Sequence, residues 1–182
     1  GYIGLGNLGG HRAMSLIRKG FSVTVHDRNQ SLADRHVAAG AERAENAAVL
    51  AGACDVVMTC LPSPAVCEIV LSECLSAMRP GSIWIENSTL GRDEIVKLAA
   101  MAQAKGIRVL EAPVTGGVHL AARGEITVLA GGEKALFDEM TPVLEAIGNR
   151  LFHMGPIGSA AIIKVITNML AFIHLKADAE AL

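Results

Sequence analysis

Three glycines near the start of the chain restrict its fold more than any other feature. Gly4, Gly6 and Gly9 form the pattern GxGxxG, which follows a short apolar strand and precedes apolar positions at helical spacing over residues 13–20. In such a turn the first glycine permits a tight bend, the second lets the backbone approach a pyrophosphate, and the third lets the helix pack on its strand. The pattern predicts a strand–turn–helix unit whose helix N-terminus faces phosphates. A purely structural turn is the alternative.

An acidic residue follows at the distance expected for a nucleotide ribose. Residues 21–26 alternate between apolar and polar side chains as a second strand, and Asp27 ends it. A carboxylate there can accept hydrogen bonds from both ribose hydroxyls and repel a 2′-phosphate, which predicts NAD rather than NADP as the cofactor. Arg28 keeps NADP open as the alternative, because its guanidinium can pair with that phosphate or stack on the adenine.

The remaining chain alternates between strands and helices. Further strands are predicted at residues 55–60, 82–86, 107–111, 125–130 and 150–153, and helices at residues 31–39, 46–51, 64–78, 92–105 and 133–147, with a short segment at residues 41–43 between the first two of these helices. Only 3% of the residues are aromatic, and small aliphatic side chains dominate, as in parallel sheets covered by closely packed helices. We therefore predict the α/β class, with a Rossmann-type doubly wound, mostly parallel sheet over residues 1–154.

Composition and charge argue against several other classes of protein. With 182 residues, 51% hydrophobic content and a net charge of -2, the chain can bury a core and has no electrostatic reason to bind nucleic acid. Cys54, Cys60, Cys67 and Cys74 form no CxxC pair and the histidines are scattered singly, so reduced cysteines and no metal site are predicted. The apolar run at residues 159–175 is too short and too polar for a comfortable membrane span, so no membrane partner is predicted.

Residues at two predicted strand ends are candidates for cofactor binding, since ligands of such sheets lie beyond the carboxyl ends of the strands. Leu61 and Pro62 follow the strand at residues 55–60 and are predicted to wall the cofactor crevice. A proline loop explains them nearly as well. Residues 87–89, Asn-Ser-Thr, follow the next strand and carry polar groups that could reach the nicotinamide.

A third strand end carries a hydroxyl and two glycines. Thr115, Gly116 and Gly117 come shortly after the strand at residues 107–111. An oxygen beside closely approachable backbone N–H groups is suited to a substrate carboxylate. As a motif on its own, this segment is more often only a turn.

Lys164 and Asn168 stand out in the last helical stretch. They are four residues apart, so their side chains share one face of a helix that is otherwise mostly apolar. Burial disfavours an ammonium and lowers the pKa of lysine from about 10.4, which suits proton transfer near neutral pH. A lysine that reaches solvent from an amphipathic helix is the alternative.

Four motifs together resemble those of the β-hydroxyacid dehydrogenase family, which includes 3-hydroxyisobutyrate dehydrogenases and tartronate semialdehyde reductases. Residues 4–9 look like the cofactor loop of the family, and residues 87–89 like its strand-end Ser-Thr. Residues 111–117 are similar to its substrate motif Asp-Ala-Pro-Val-Ser-Gly-Gly, with glutamate for aspartate and threonine for serine. Residues 155–168 are similar to its catalytic Gly-Pro…Lys…Asn helix.

The resemblance implies roles for particular residues. Lys164 would be the catalytic lysine and Asn168 its helper at the substrate. Thr115, Gly116 and Gly117 would bind the substrate. The cofactor-binding residues would be Gly4, Gly6, Asn7, Leu8, Gly9, Asp27, Arg28, Leu61, Pro62 and Thr89.

The implied activity is hydride transfer between NAD(P) and a small 3-hydroxy acid, with the lysine as general acid/base. Family members continue after the lysine helix with an all-helical domain that closes the active site and builds much of the oligomer interface. We therefore expect residues 155–182 to begin the interdomain helix, the chain to be a fragment, and the protein to be a homo-oligomer through this helix and that domain.

Three alternatives to this activity are a relative of the imine reductases, a relative of phosphogluconate dehydrogenase, and a catalytically silent dinucleotide-binding module. Imine reductases usually lack the lysine, and a silent module has no need for a polar pair on an apolar helix. A cytoplasmic location is expected, with mitochondria left open because the chain begins without a methionine.

Overall fold

Strands and helices alternate along almost the whole chain. The structure is a computed structural model that describes all 182 residues. The strands are β1 (Tyr2–Ile3), β2 (Thr24–His26), β3 (Glu42–Arg43), β4 (Val56–Thr59), β5 (Ile83–Glu86), β6 (Arg108–Glu111), β7 (Val114–Thr115), β8 (Thr127–Gly132) and β9 (Arg150–His153). The helices are α1 (Gly9–Arg18), α2 (Ser31–Ala38), α3 (Ala47–Ala53), α4 (Pro64–Leu75), α5 (Arg92–Gln103), α6 (Val118–Arg123), α7 (Lys134–Ile147) and α8 (Ser159–Ala181).

Six of the strands form a parallel sheet in the order β3-β2-β1-β4-β5-β6. This is the strand order of doubly wound dinucleotide-binding sheets, and it confirms the predicted fold class. The order reverses between β1 and β4, where Ile3 is in register with Thr59. The glycine loop that follows β1 therefore lies beside the residues that follow β4.

The other edge of the sheet departs from the parallel pattern. Strand β8 pairs antiparallel with β6 and with β7, whereas β9 pairs parallel with β8. Strand β7 and helix α6 were not predicted, because elements of two and six residues are too short to show a periodic pattern. The antiparallel direction of β8 was also not predicted, because a buried strand has a similar composition in either direction.

Local chemistry determines several boundaries of these elements. The side chains of Asn46 and Ser63 accept hydrogen bonds from the first turns of α3 and α4, which places both helix starts. Strand β2 begins three residues later than predicted. Gly20 has a φ of +84° and turns the chain after α1, so the next residue, Phe21, remains partly exposed instead of joining the sheet.

The sheet is buried on both faces. Alternate strand residues such as Met58 and Ile85 pack towards α1, α6 and α7, and those between them, such as Val57 and Trp84, pack towards α3, α4 and α5. This double coverage explains the nearly continuous apolar runs in the strand sequences.

Helix α8 is the exception to this close packing. It is 23 residues long, and only Ala160 and Ala161 are buried. By length and composition it could cross a membrane, so the prediction that this stretch is too short and too polar for a span is wrong. The helix continues beyond residue 175 to Ala181. The absence of a membrane partner stays a prediction.

Candidate active site

Two of the three glycines of the GxGxxG turn are required by close packing. Gly4 has a φ of +93°, and a Cβ atom on it would overlap the carbonyl oxygen of Cys60. A Cβ atom on Gly9 would overlap the carbonyl oxygen of Gly4. These positions have no room for a side chain, since the loop, the start of α1 and the residue after β4 lie against one another.

Gly6 differs from its two neighbours, because a Cβ atom on it would have no atom within 4 Å. Its backbone instead borders a crevice of about 700 Å³ at the carboxyl ends of β1, β2 and β4. An open position of this kind fits a ligand that approaches the backbone as closely as a pyrophosphate does. The residues of the loop therefore fit a dinucleotide.

The crevice brings together nine of the ten predicted cofactor-binding residues. Its lining includes Gly4, Gly6, Asn7, Leu8, Gly9, Asp27, Arg28, Leu61 and Pro62. The opposite wall comes from α4 and contains Ile69 and Glu73, which were not predicted. Thr89 is the tenth residue and lies outside the crevice, exposed after β5.

Asp27 is held in place by backbone N–H groups on both sides. Its Oδ2 accepts a hydrogen bond from Leu5 N at 2.7 Å, and its Oδ1 accepts one from Asn29 N at 2.8 Å. The carboxylate thus stabilises the glycine loop, and each of its oxygens can accept a further hydrogen bond. Arg28 is exposed at the rim.

Polar side chains after β5 connect this strand end to its neighbours. Ser88 Oγ accepts a hydrogen bond from Leu61 N at 2.7 Å, which fixes the segment that contains Leu61 and Pro62. Asn87 is buried, and its Oδ1 accepts a hydrogen bond from the fully buried guanidinium of Arg12. Asn87 and Ser88 therefore hold the crevice wall together instead of facing a ligand.

The sequence did not reveal this buried polar network. Glu86 is buried and accepts hydrogen bonds from Thr59 Oγ1 at 2.8 Å and Ser88 N at 2.6 Å, while burial raises the pKa of its carboxyl group. Arg12 was missed because an arginine in a helix usually faces solvent. No spacing or motif distinguishes it.

Lys164 and Asn168 face each other on α8, as predicted. Lys164 Nζ donates a hydrogen bond to Asn168 Oδ1 at 2.8 Å, and both side chains are half-buried. Burial lowers the pKa of the Lys164 amine from its ordinary value of 10.5. The arrangement provides an amine that can give up its proton more readily than a lysine in water.

The predicted substrate segment includes a strand that contacts this helix. Thr115 ends β7, which contacts α8, and it is half-buried. Gly116 and Gly117 are exposed with φ angles of +126° and +82°, a conformation that glycine adopts without strain. Neither this segment nor Lys164 lines the crevice, so the predicted cofactor-binding residues form a group separate from the predicted substrate-binding and catalytic residues.

A buried glutamate anchors the N-terminus of α8. Glu111 ends β6, and its Oε1 accepts hydrogen bonds from Gly158 N at 2.6 Å and Ala160 N at 3.0 Å. Its Oε2 accepts one from Ala161 N at 3.1 Å. Burial raises the pKa of this carboxyl group, whereas the three backbone N–H groups oppose that rise.

The parallel sheet, the closely packed glycine loop and the crevice at the reversal of strand order define the class of dinucleotide-binding domains. Comparison with known proteins extends this assignment. Residues 1–155 match the family described as the NAD binding domain of 6-phosphogluconate dehydrogenase. The chain belongs to this family of NAD(P)-binding domains and, as its motifs indicate, to the β-hydroxyacid dehydrogenases.

Individual relatives agree with this family. The 2-(hydroxymethyl)glutarate dehydrogenase of Eubacterium barkeri is 34% identical over 185 residues, and the NAD-dependent L-serine dehydrogenase of Pseudomonas aeruginosa is 35% identical over 184 residues. Both alignments cover 100% of this chain but 62% of the relative, so the chain spans less than two thirds of their length. The cytokine-like nuclear factor N-PAC of Homo sapiens is 32% identical over 185 residues, which are 34% of its length.

A solved structure shows the same fold. The 3-hydroxyisobutyrate dehydrogenase of Mycobacterium tuberculosis with L-serine matches with a TM-score of 0.95 at 31% identity. The match covers 99% of this chain and 62% of that one. It therefore includes almost all of helix α8, which is part of the shared fold.

Proposed function

We propose that the protein containing this chain is an NAD(P)-dependent dehydrogenase of small 3-hydroxy acids, with Lys164 as its general acid/base. The observation that carries this proposal is the half-buried Lys164 amine. Burial lowers the pKa of this amine, and a hydrogen bond from Nζ to Asn168 Oδ1 orients the end of the lysine side chain. An amine in this state can take a proton from an alcohol during oxidation and return it during reduction.

The substrate class is inferred from chemistry that the relatives have in common. Two relatives and one solved structure are named for L-serine, 2-(hydroxymethyl)glutarate or 3-hydroxyisobutyrate. All three compounds carry a hydroxymethyl group on the carbon next to a carboxylate, and they differ in the third substituent. We infer a substrate with the same hydroxymethyl and carboxylate groups.

Each residue of the candidate site has a part in the reaction. When bound, NAD(P) supplies the hydride acceptor for the hydroxyl-bearing carbon. Lys164 removes the hydroxyl proton as the carbonyl forms, and the amide of Asn168 keeps the amine and the substrate oxygen in line. The Thr115 hydroxyl and the N–H groups of Gly116 and Gly117 are suited to hold the carboxylate.

We further propose that NAD is preferred to NADP, because the carboxylate of Asp27 lies at the crevice and Glu73 adds a second negative charge on the opposite wall.

We also propose that the protein is a homo-oligomer and that it is located in the cytoplasm. Self-association through α8 would cover its apolar side chains, and the location is an expectation from the sequence.

A catalytically silent dinucleotide-binding module is the second candidate, which the similarity to a nuclear factor favours. The two functions differ in one respect, since only an enzyme requires the lysine. A silent module would bind dinucleotide equally well with an alanine in place of Lys164, and it would turn over nothing.

The test is a substrate panel on the complete protein that contains this chain. L-Serine, 3-hydroxyisobutyrate, 2-(hydroxymethyl)glutarate, glycerate, 4-hydroxybutyrate, threonate and 6-phosphogluconate are incubated with NAD or NADP, and the absorbance of the reduced nicotinamide is followed. We expect turnover of at least one hydroxymethyl acid, with kcat lower by about 10²-fold or more in Lys164→Ala. Dinucleotide binding without turnover of any compound would favour the silent module.

A further inference from the structure

The start of the lysine helix is held by one side chain from the sheet. Three hydrogen bonds, from the N–H groups of Gly158, Ala160 and Ala161, converge on the carboxylate of Glu111. The first backbone N–H groups of a helix have no partner within the helix, and a negative charge there interacts favourably with the helix dipole. Glu111 supplies both the hydrogen-bond acceptors and the charge.

The surroundings leave room for this side chain and for little else. Glu111 is 1% exposed. A Cβ atom on Gly131, the residue of β8 in register with Glu111, would overlap the Oε1 atom of the carboxylate. The absence of a side chain on the neighbouring strand therefore lets the carboxylate reach the helix.

The start of α8 is also where the helix is buried, although the helix makes further contacts with β8, α5 and β7. Ala160 and Ala161, the only buried residues of this helix, are two of the three residues that Glu111 holds. Lys164 follows Ala160 by four positions and Ala161 by three, so it lies on the same face one turn further along. A rotation or shift of the first turn would therefore be transmitted directly to the lysine amine.

The same glutamate also begins the segment that leads to Thr115. Glu111 is the last residue of β6, and Thr115 ends β7 four residues later. Helix α8 contacts β7. The side chain of Glu111 thus connects the segment that leads to Thr115 with the helix that carries Lys164.

We propose that Glu111 is a positioning residue: its carboxylate holds the first turn of α8 against the end of β6 and thereby sets the place of Lys164 relative to Thr115. This inference rests on the proposed dehydrogenase function. It assigns to Glu111 a purpose other than substrate or cofactor contact, because the carboxylate is buried and is already bonded to three N–H groups.

The experiment compares Glu111→Gln with the wild type in the complete protein. A glutamine presents an NH₂ group to one or more of the three N–H donors, so the start of α8 should loosen. We expect kcat to fall by about tenfold or more, because small misplacements of a reacting group have effects of that size. The dissociation constant of NAD should stay within about twofold, since the crevice does not include Glu111.

A second measurement separates positioning from a general loss of stability. The Lys164 amine is titrated by NMR after isotopic methylation of lysines, and its pKa should rise towards the ordinary value in Glu111→Gln as the amine becomes more solvated. The matched control is Glu86→Gln, which removes a carboxylate equally buried at the register-equivalent end of β5, with no bond to α8. The control should leave the Lys164 pKa unchanged.

The possible outcomes are distinct. An unchanged kcat and Lys164 pKa in Glu111→Gln, or an equal shift of this pKa in Glu86→Gln, would overturn the inference. If Glu111→Gln does not fold, the variant to use is Glu111→Asp, which keeps the charge but is shorter by one methylene group. We then expect kcat to fall by about threefold or more. A wild-type kcat in Glu111→Asp would overturn the inference. Absence of any turnover in the wild type, with a lysine pKa that still depends on Glu111, would refute the proposed function alone.

Discussion

Lys164 Nζ lies 2.8 Å from Asn168 Oδ1, one helical turn further along α8. Because Asn168 accepts this hydrogen bond through its oxygen, its NH₂ group is free to donate to a substrate oxygen. The pair therefore combines an amine whose pKa is lowered by burial with a neutral donor beside it. A proton transfer site needs both, since the amine must lose its proton while the substrate oxygen stays in place.

Replacement of the lysine is the first prediction. Lys164→Ala should lower kcat by about 10²-fold or more, because one general acid/base group is lost, and should leave dinucleotide affinity nearly unchanged. The measurement is steady-state kinetics together with NAD binding by calorimetry. Lys176→Ala is the matched control, since Lys176 is exposed on the same helix and pairs only with Glu180. A Lys164→Ala enzyme with near-normal kcat would contradict the assignment.

The second prediction concerns pH. Because burial lowers the pKa of Lys164 from 10.5, the neutral amine needed for oxidation appears at lower pH than in a lysine in water. The oxidation rate should rise with pH with a midpoint below 10.5, and the reduction rate should fall over the same range. Rate profiles in both directions test this, and an oxidation limb with a midpoint at or above 10.5 would exclude Lys164 as the titrating group.

The same shift affects stability, with a defined sign. The lysine pKa is lower in the folded state than in the unfolded state, so burial of the ammonium costs stability below the folded pKa. This cost is relieved as the pH rises from the folded pKa towards 10.5. Lys164→Met should remove this part of the pH dependence of the free energy of unfolding, measured by urea denaturation.

The third prediction distinguishes the two kinds of glycine in the loop. Gly6→Ala should fold with an unchanged Tm, because its Cβ meets no atom, but should weaken dinucleotide binding by about tenfold, or about 1.4 kcal/mol. Gly9→Ala is the comparison, and it should lower Tm because its Cβ overlaps Gly4 O. Thermal denaturation and NAD titration check both. Unaltered NAD affinity in Gly6→Ala would mean that no ligand approaches this position.

The fourth prediction concerns cofactor choice. The wild type should have a higher kcat/KM with NAD than with NADP, and Asp27→Asn should shift the ratio towards NADP through Arg28. The variant should also bind NAD less well, since an asparagine NH₂ group cannot accept the hydrogen bond that Leu5 N or Asn29 N now donates to Asp27. Kinetics with both cofactors decide the matter. A wild type that prefers NADP would refute this assignment of Asp27.

The fifth prediction concerns α8. Apolar side chains on this helix are exposed, among them Ile166, Met169, Phe172, Ile173 and Leu175. The 182-residue chain should therefore self-associate, as judged by sedimentation velocity. The double variant Ile166→Glu/Ile173→Glu should be more monomeric, whereas Val49→Glu, an exposed apolar position on α3, should behave like the wild type. A chain that stays monomeric at high concentration would contradict this prediction.

The sequence by itself determined the parallel part of the fold and the crevice. Turn glycines, strand periodicity and the position of Asp27 are local signals, and they depend on steric and hydrogen-bonding rules that act over a few residues. For the same reason the spacing of Lys164 and Asn168 was sufficient to place both on one helical face. All but Thr89 of the predicted cofactor-binding residues line one crevice.

Only the tertiary structure decided which polar residues are buried and what they hold. Arg12, Glu86 and Glu111 have no local pattern that distinguishes them from surface residues. Their hydrogen-bond partners Asn87, Thr59 and Gly158 lie 75, 27 and 47 positions away in the sequence, respectively. The antiparallel insertion of β8 was equally hidden, since composition does not encode strand direction. Contacts between distant segments depend on the whole packed chain, and for that reason the carboxylate that holds the lysine helix became visible only in three dimensions.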